Sequence, residues 1–299
     1  MVDPTPSMPP PGQRHWRPAA LSAVIGAHAL APLLWLSGAG TGWAIAVLLA
    51  GGALLVWGSL YPHSRLFGPV STRLPGDRPV VWLTFDDGPC ADTPALLEVL
   101  DRHRARATFF LVGERARRAP GLVREIVRRG HQVANHTESH PAGRFWLLGP
   151  KALAAEIEGA QATLTALAGA PPRWFRAVAG LGNPFLAPVL RRAGLARVSW
   201  TARGLDGVDG DDDRVLARLL RGLRPGAVLL LHEGGPDGRS ARLAGRLLAA
   251  LDERGYAAVL PPGEASTSQL LNGVRPHSGE NRADSPRAPS SASSPARVG

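Results

Sequence analysis

The chain has 299 residues, 44% of them hydrophobic, which is enough for one substantial core and too apolar for a wholly disordered protein. Lys and Arg exceed Asp and Glu by 34 to 24, a formal net charge of +10, but the excess is dispersed over predicted surface helices, as in Arg115, Arg117, Arg118, Arg124, Arg128 and Arg129. No aromatic platform is interleaved with it, which argues against nucleic acid as a partner. Cys90 is the only cysteine, so an intramolecular disulfide is excluded, and its place after Asp-Asp-Gly-Pro reads as a small side chain closing a turn.

Residues 1–17 begin with a Pro-rich stretch that lacks apolar periodicity and are expected to be disordered. Residues 18–36 and 43–60 carry no Asp, Glu, Lys or Arg. Each has about the 20 residues a helix needs to cross a bilayer, so the expectation is a two-helix transmembrane hairpin over 18–61, in contact with membrane lipid. Its connection, 37–42, is short and Gly-rich, and Trp16, Trp35, Trp43, Trp57 and Tyr61 stand toward its ends as interface aromatics do. A buried helical pair of a soluble protein is the competing reading. Arg14 and Arg17 precede the first span, while Arg65, Arg73 and Arg78 follow the second. The positive-inside rule then puts both ends in the cytoplasm, at an inner or cytoplasmic membrane; a single span would put the remainder outside. Residues 62–79 read as a linker.

From 80 to 262 short apolar runs alternate with amphipathic patterns. Strands are predicted at 80–85, 107–112, 132–135, 174–176, 196–200, 227–231 and 257–260, and helices at 93–103, 120–129, 150–168, 184–192, 212–221 and 240–254. Strand followed by helix, repeated this often, argues a parallel α/β barrel or open sheet, with chemistry at the carboxyl ends of the strands. Residues 263–299 are rich in Ser, Pro, Arg and Gly and read as a disordered tail.

Asp86 and Asp87 follow the first apolar run and precede Gly88-Pro89. Adjacent strand residues point opposite ways, so both carboxylates face one site only if the backbone turns there. Taken alone, the dipeptide reads more readily as a turn with solvated carboxylates. His136 and His140 lie four residues apart after a short strand, a spacing that on one helical turn puts two imidazoles on one face to share a metal. With a carboxylate from another strand end they make a His-His-Asp site suited to zinc or another divalent ion. His232 ends the run Leu229-Leu230-Leu231 and is either a capping histidine or a proton donor at the same end of the sheet.

Together, Thr-Phe-Asp-Asp-Gly-Pro (84–89), His-Thr-Glu-Ser-His (136–140) and Leu-Leu-Leu-His (229–232) resemble the NodB-homology polysaccharide deacetylases, carbohydrate esterase family four, over about 80–260. The resemblance implies a distorted parallel β/α barrel, with Asp86 as general base, Asp87, His136 and His140 as metal ligands, and His232 as general acid. Phe175 to Gly180 is similar to the family's third motif. There Arg176 would orient Asp86 and the Ala179 N–H would serve the oxyanion, although Val178 and Ala179 stand where Pro and an aromatic are usual. Trp200 to Gly207 is similar to the fourth motif, with Asp206 tuning His232, Arg203 where many members have Asp, and Gly207 where many have Trp. Leu230 would line the acyl pocket.

The expected activity is metal-dependent removal of N-acetyl groups from amino sugars in a polysaccharide or lipid-linked glycan, with zinc the first choice of metal. Deformylation or O-acetyl ester hydrolysis would use the same residues. A membrane scaffold that binds glycan without cleaving it is the reading from another class.

Overall fold

The computed structural model describes residues 19–38 and 40–261. The segments expected to be disordered, 1–17 and 263–299, lie outside the described residues.

Two helices come first, α1 (Ala19–Leu36) and α2 (Thr41–Leu60), packed against each other through Gly51, where a Cβ would strike the His28 ring. By length and composition α2 is apolar enough to cross a bilayer, whereas the apolar stretch described in α1, Val24–Leu36, is shorter. The two-span expectation is thus met by one helix.

The remainder runs β1 (Val80–Gly88), α3 (Thr93–Arg102), β2 (Ala107–Leu111), α4 (Gly113–Arg118), α5 (Pro120–Arg128), β3 (Gln132–Asn135), α6 (Pro150–Ala168), β4 (Trp174–Phe175), α7 (Leu186–Arg192), β5 (Ala196–Arg197), β6 (Ala202–Arg203), α8 (Asp212–Arg221), β7 (Ala227–His232), α9 (Arg239–Glu253) and β8 (Ala257–Ala258). Pro at the first turn starts α5 and α6, Gly169 in the left-handed region ends α6, and the Asp211 side chain caps α8 by accepting from the Asp213 and Arg214 N–H groups. All strand pairs are parallel, in the order β5-β4-β3-β2-β1-β7-β6, with β8 also on β1. The result is a curled half-barrel.

The pleat sorts side chains into two layers. Val81, Leu83 and Phe85 of β1, Phe109 of β2, and Leu229 and Leu231 of β7 pack outward against the helices; Trp82, Phe110, Val228 and Leu230 fill the inside. Each of these buried apolar side chains contributes about 1.5–3 kcal/mol. Continuing the inward series, Trp82, Thr84 and then Asp86 reach the carboxyl end of β1, with His232 paired opposite Asp86 on β7. Core packing therefore fixes which way the site residues face.

Among the described residues β5 and β6 do not pair with each other. The gap is filled by residues 71–74, part of the segment expected as a linker: Ser71 exchanges backbone hydrogen bonds with Arg197 (3.0 Å) and Ser199 (2.8 Å), and Leu74 N–H donates to Gly226 O (2.8 Å). Leu66, Phe67, Val70 and Leu74 are buried. Their burial builds residues 62–79 into the domain, because the open sheet edge offers unpaired backbone groups that this segment satisfies.

Candidate active site

Asp86 and Asp87 share one site through a kink in β1. The β1–β2 register shifts between Asp86 and Gly88, and Asp87 has φ 71, in the left-handed region. The turn thus falls on Asp87 itself. Gly88 follows because the Glu233 carboxylate and Leu111 occupy the space a side chain would need.

His136 and His140 converge from a loop, which corrects the expectation of a helical turn. Thr137 (φ 70) and His140 (φ 57) are both left-handed. Local polar contacts outcompete helix here: Thr137 N–H donates to Asn135 Oδ1 (3.0 Å), and Glu156 of α6 accepts from the N–H groups of Glu138 (3.1 Å) and Ser139 (2.9 Å). His136 is buried, and its Nδ1–H donates to Arg176 O (2.8 Å), which leaves the Nε2 lone pair for the site.

Asp87 Oδ1 lies 2.9 Å from His140 Nε2 and 3.4 Å from His136 Nε2. One donor atom from each of Asp87, His136 and His140 falls within 4.8 Å of the others. Burial would raise the Asp87 pKa, but the two imidazoles outweigh it and hold the carboxyl well below the usual range. Asp87 Oδ1 is nevertheless buried without a hydrogen-bond partner among the described residues. An orphaned carboxylate oxygen facing two imidazole nitrogens fits a divalent cation with open positions, and the donor set suits zinc.

Arg176 follows β4 and is 1% exposed. Its Nη1 donates to Asp86 Oδ1 (2.7 Å) and Thr84 Oγ1 (2.9 Å), its Nη2 to Ser199 O (3.1 Å), and its guanidinium stacks over Phe110 at 4.1 Å. One Asp86 oxygen is thereby tied down while Oδ2 turns toward the metal cluster, 3.9 Å from His136 Nε2.

His232 is held twice by Asp206: its backbone N–H donates to Oδ2 (2.7 Å) and its Nδ1 to Oδ1 (2.9 Å). Burial lowers the imidazole pKa, but Asp206, with help from Asp86 and Asp87, outweighs it and pushes the pKa up to about 9. Asp206 is anchored in turn by Arg239, which donates to its carbonyl (2.7 Å). A cavity of about 370 Å³ is lined by Asp87, Arg115, Asp206, His232, Glu233 and Arg239, among others.

Of the residues predicted for the site, Asp87, Asp206 and His232 line that cavity, Asp86, Arg176, His136 and His140 are tied to them through the contacts above, and Ala179 and Leu230 stand apart. Ala179 (φ 51) is exposed on the loop after Arg176, and Leu230 lies one inward layer below His232, buried among Trp82, Phe110 and Trp200. Three charged cavity residues were missed: Arg239, which anchors Asp206, and two more. Arg115, grouped with the surface arginines, bonds the Asp87 carbonyl from α4, a helix the apolar pattern does not reveal. Glu233 is buried beside Thr93, whose hydroxyl donates to it; burial pushes its carboxyl up to about 7. A lone acid next to a strand-ending His was the available signal. Cys90 closes a turn as expected, its carbonyl accepting from Thr93 N–H (3.2 Å), and burial with Glu233 nearby raises its thiol pKa, which disfavours a nucleophilic thiolate.

The sequence profile of the polysaccharide deacetylase family matches residues 73–198. A chitooligosaccharide deacetylase of Bradyrhizobium sp. (strain ANU 289) is 36% identical over 213 residues, covering 66% of this chain and 93% of that protein. The chain belongs to the polysaccharide deacetylase family. A peptidoglycan-N-acetylglucosamine deacetylase of Bacillus cereus is 29% identical over 63% of this chain and 89% of its own length. Among solved structures, the family 4 carbohydrate esterase from Streptomyces lividans in complex with acetate superposes with a TM-score of 0.57 at 32% identity, over 62% of this chain and 94% of that one. These matches to the deacetylases cover about two thirds of the chain and nearly all of the first relative.

Proposed function

We propose that this polysaccharide deacetylase family member is a metal-dependent hydrolase that removes N-acetyl groups from amino sugars of a glycan. The observation that carries the reading is a His-His-Asp donor cluster beside an Arg-held carboxylate, with Asp87 of the cluster and the Asp-held imidazole of His232 lining one cavity. A divalent ion held by Asp87, His136 and His140, zinc by preference, supplies Lewis acidity toward water and the acyl carbonyl. Asp86 is the general base: Arg176 holds Oδ1, leaving Oδ2 to take the proton of the attacking water. His232, protonated at neutral pH because its pKa is about 9, gives a proton to the leaving amine, which is a poor leaving group without it. Asp206 fixes the ring, and the Ala179 N–H assists the oxyanion once substrate is bound. Leu230 bounds the acyl end of the site from the layer below.

The catalytic unit comprises the barrel from 80 onward together with the docked segment 62–79, and α2 with α1 forms a membrane hairpin beside it, an assignment supported by the length and composition of α2. The basic residues flanking the hairpin favour the cytoplasmic side of an inner or cytoplasmic membrane. An amino sugar on a lipid carrier is then the natural substrate. A reporter fused after residue 261 tests the topology, and an external reporter signal would overturn it.

The activity is tested on the metal-loaded full chain in detergent, with N-acetylglucosamine oligomers, a lipid-linked N-acetyl amino sugar, and N-formyl and O-acetyl counterparts. Acetate is expected from the N-acetyl substrates, with Asp86→Asn lowering kcat by about 10²–10⁴-fold. His136→Ala is expected to lose both stoichiometric metal and turnover. Unchanged turnover in both variants would eliminate the reading, and preference for the formyl or ester substrate would replace it.

A further inference from the structure

The loop that follows Arg176 is joined to the end of α2. Gly182 N–H donates to Ser59 O (2.7 Å), and a side chain at Gly182 would collide with the Gly58 carbonyl. Gly180 (φ 74) lies so close to the next segment that a Cβ there would stand 2.5 Å from Trp200 and 2.8 Å from Pro62. Arg197 is buried and spends its donors on carbonyls of both pieces: Gly180 (3.3 Å), Pro62 (3.3 Å) and Ser64 (3.4 Å). Helix end and loop therefore form one rigid unit, and the joined loop glycines lie four and six residues after the Arg176 that holds Asp86.

A run of rings crosses this unit. Trp57 stacks on Tyr61 (5.3 Å between centroids), Tyr61 meets His63 (5.5 Å), and His63 meets Trp200 (5.9 Å), which follows the Ser199 whose carbonyl Arg176 binds. Trp200 is buried, but Tyr61 is 46% exposed and is backed by Trp57. In the neighbouring loop the residues just after Arg176 offer only Val178 and the exposed Ala179, and the loop's one aromatic ring, Phe185, stands at the start of α7. A pyranose presents apolar C–H faces edged with hydroxyls, and a tyrosine offers a flat apolar face with a polar tip.

We infer that Tyr61, carried by the end of α2, is a sugar-stacking wall of the substrate groove, holding a glycan residue next to the one being deacetylated. The inference rests on the deacetylase reading and makes the helical hairpin a working part of the site. It also separates Tyr61 from a membrane-interface anchor, which would hold the protein at a bilayer without touching substrate.

The test compares Tyr61→Ala and Tyr61→Phe with wild type in the full metal-loaded chain, using di- and tetrasaccharides of N-acetylglucosamine. Tyr61→Ala is expected to raise KM for the tetrasaccharide roughly 3- to 10-fold, more than for the disaccharide, with kcat moving less than KM. Tyr61→Phe, which keeps the face, is expected to recover most of that rise. Equal effects on both substrates, a loss confined to kcat, or unaltered KM with weakened retention on liposomes would each overturn the inference. If wild type releases no acetate from any N-acetyl substrate, the deacetylase reading falls first and takes this inference with it; an active wild type with an indifferent Tyr61→Ala sinks the inference alone.

Discussion

The centre of the site and its rim, the loops after β4 and around β6, belong to one barrel end but are built by different rules. At the centre, Asp86, Arg176, His136, Asp206 and His232 are each held by a partner from another strand or loop, at 2.7–2.9 Å. At the rim, Ala179 is exposed, Gly207 has open space around its Cα, and the fixed points come from outside the barrel, where Pro62 O accepts from Arg197 of β5 and Ser59 O from Gly182 N–H. Reacting atoms tolerate little displacement, since a misplacement of about 1 Å can cost 10²-fold in rate. A sugar-binding surface needs only a flat face at the right height, and another part of the chain can provide it. This explains how motif residues are intact at the centre while the rim departs from the family pattern.

The largest expected effect tests that rigidity at Arg176. Replacing it with Met removes one partner of a buried ion pair and leaves the Asp86 charge uncompensated, a loss of about 3–5 kcal/mol. Turnover should collapse with it, because Asp86 loses the bond that aims Oδ2. Lys is a poor substitute, since a single ammonium cannot reach Asp86, Thr84 and Ser199 together as the guanidinium fork does. Thermal unfolding at fixed metal concentration, paired with kcat, checks both. A loss no greater than that of the exposed rim change Arg203→Ala would erase the distinction between centre and rim.

Glu233 sharpens the comparison through stability. Burial raises its carboxyl from an ordinary value near 4.5 to about 7 in the folded protein. The folded state therefore binds this proton more tightly than the unfolded chain does. The stability it contributes is fully present below about pH 4.5 and is lost as pH rises through about 7. Glu233→Gln cannot ionise, so its stability should exceed that of wild type by up to about 3 kcal/mol at pH 8 and match it near pH 4.5. Denaturant unfolding at the two pH values measures the gap. Parallel curves would show that Glu233 stays charged in its pocket.

Much of the centre was legible because local and long-range constraints agree there. The strands 132–135 and the helices 150–168 and 212–221 have the predicted bounds, set by Pro, Gly and Asp at their ends. The need for a turn at Asp86-Asp87 also followed from strand alternation. What sequence spacing could not give was the route: four residues between His136 and His140 suit a helix, but Asn135 and Glu156 stabilise a left-handed loop instead. Strand β6, with two residues, and helix α4, with six, are too short for periodicity to register. Docking of 62–79 depends on Arg197 and on backbone pairing across more than 100 residues, and nothing in the local pattern of either segment announces it.

The smallest expected effect is also the most specific to mechanism. Asp206 raises the pKa of His232 by accepting from Nδ1 and by its charge, and a general acid works only while protonated. Wild-type activity should therefore persist below about pH 9 and fall as pH rises through it. Asp206→Asn keeps an oxygen to accept from Nδ1 but removes the charge, so the imidazole pKa drops and the alkaline limb moves to lower pH. Above the new limb, each unit of that drop costs about tenfold in rate, whereas well below it the loss should be slight. The pH profile of kcat distinguishes this from simple mispositioning, which lowers the rate equally at every pH. A uniform loss would move Asp206 from tuning the acid to holding the loop. An unshifted limb with undiminished rate would mean that the His232 proton is not the one the leaving amine receives.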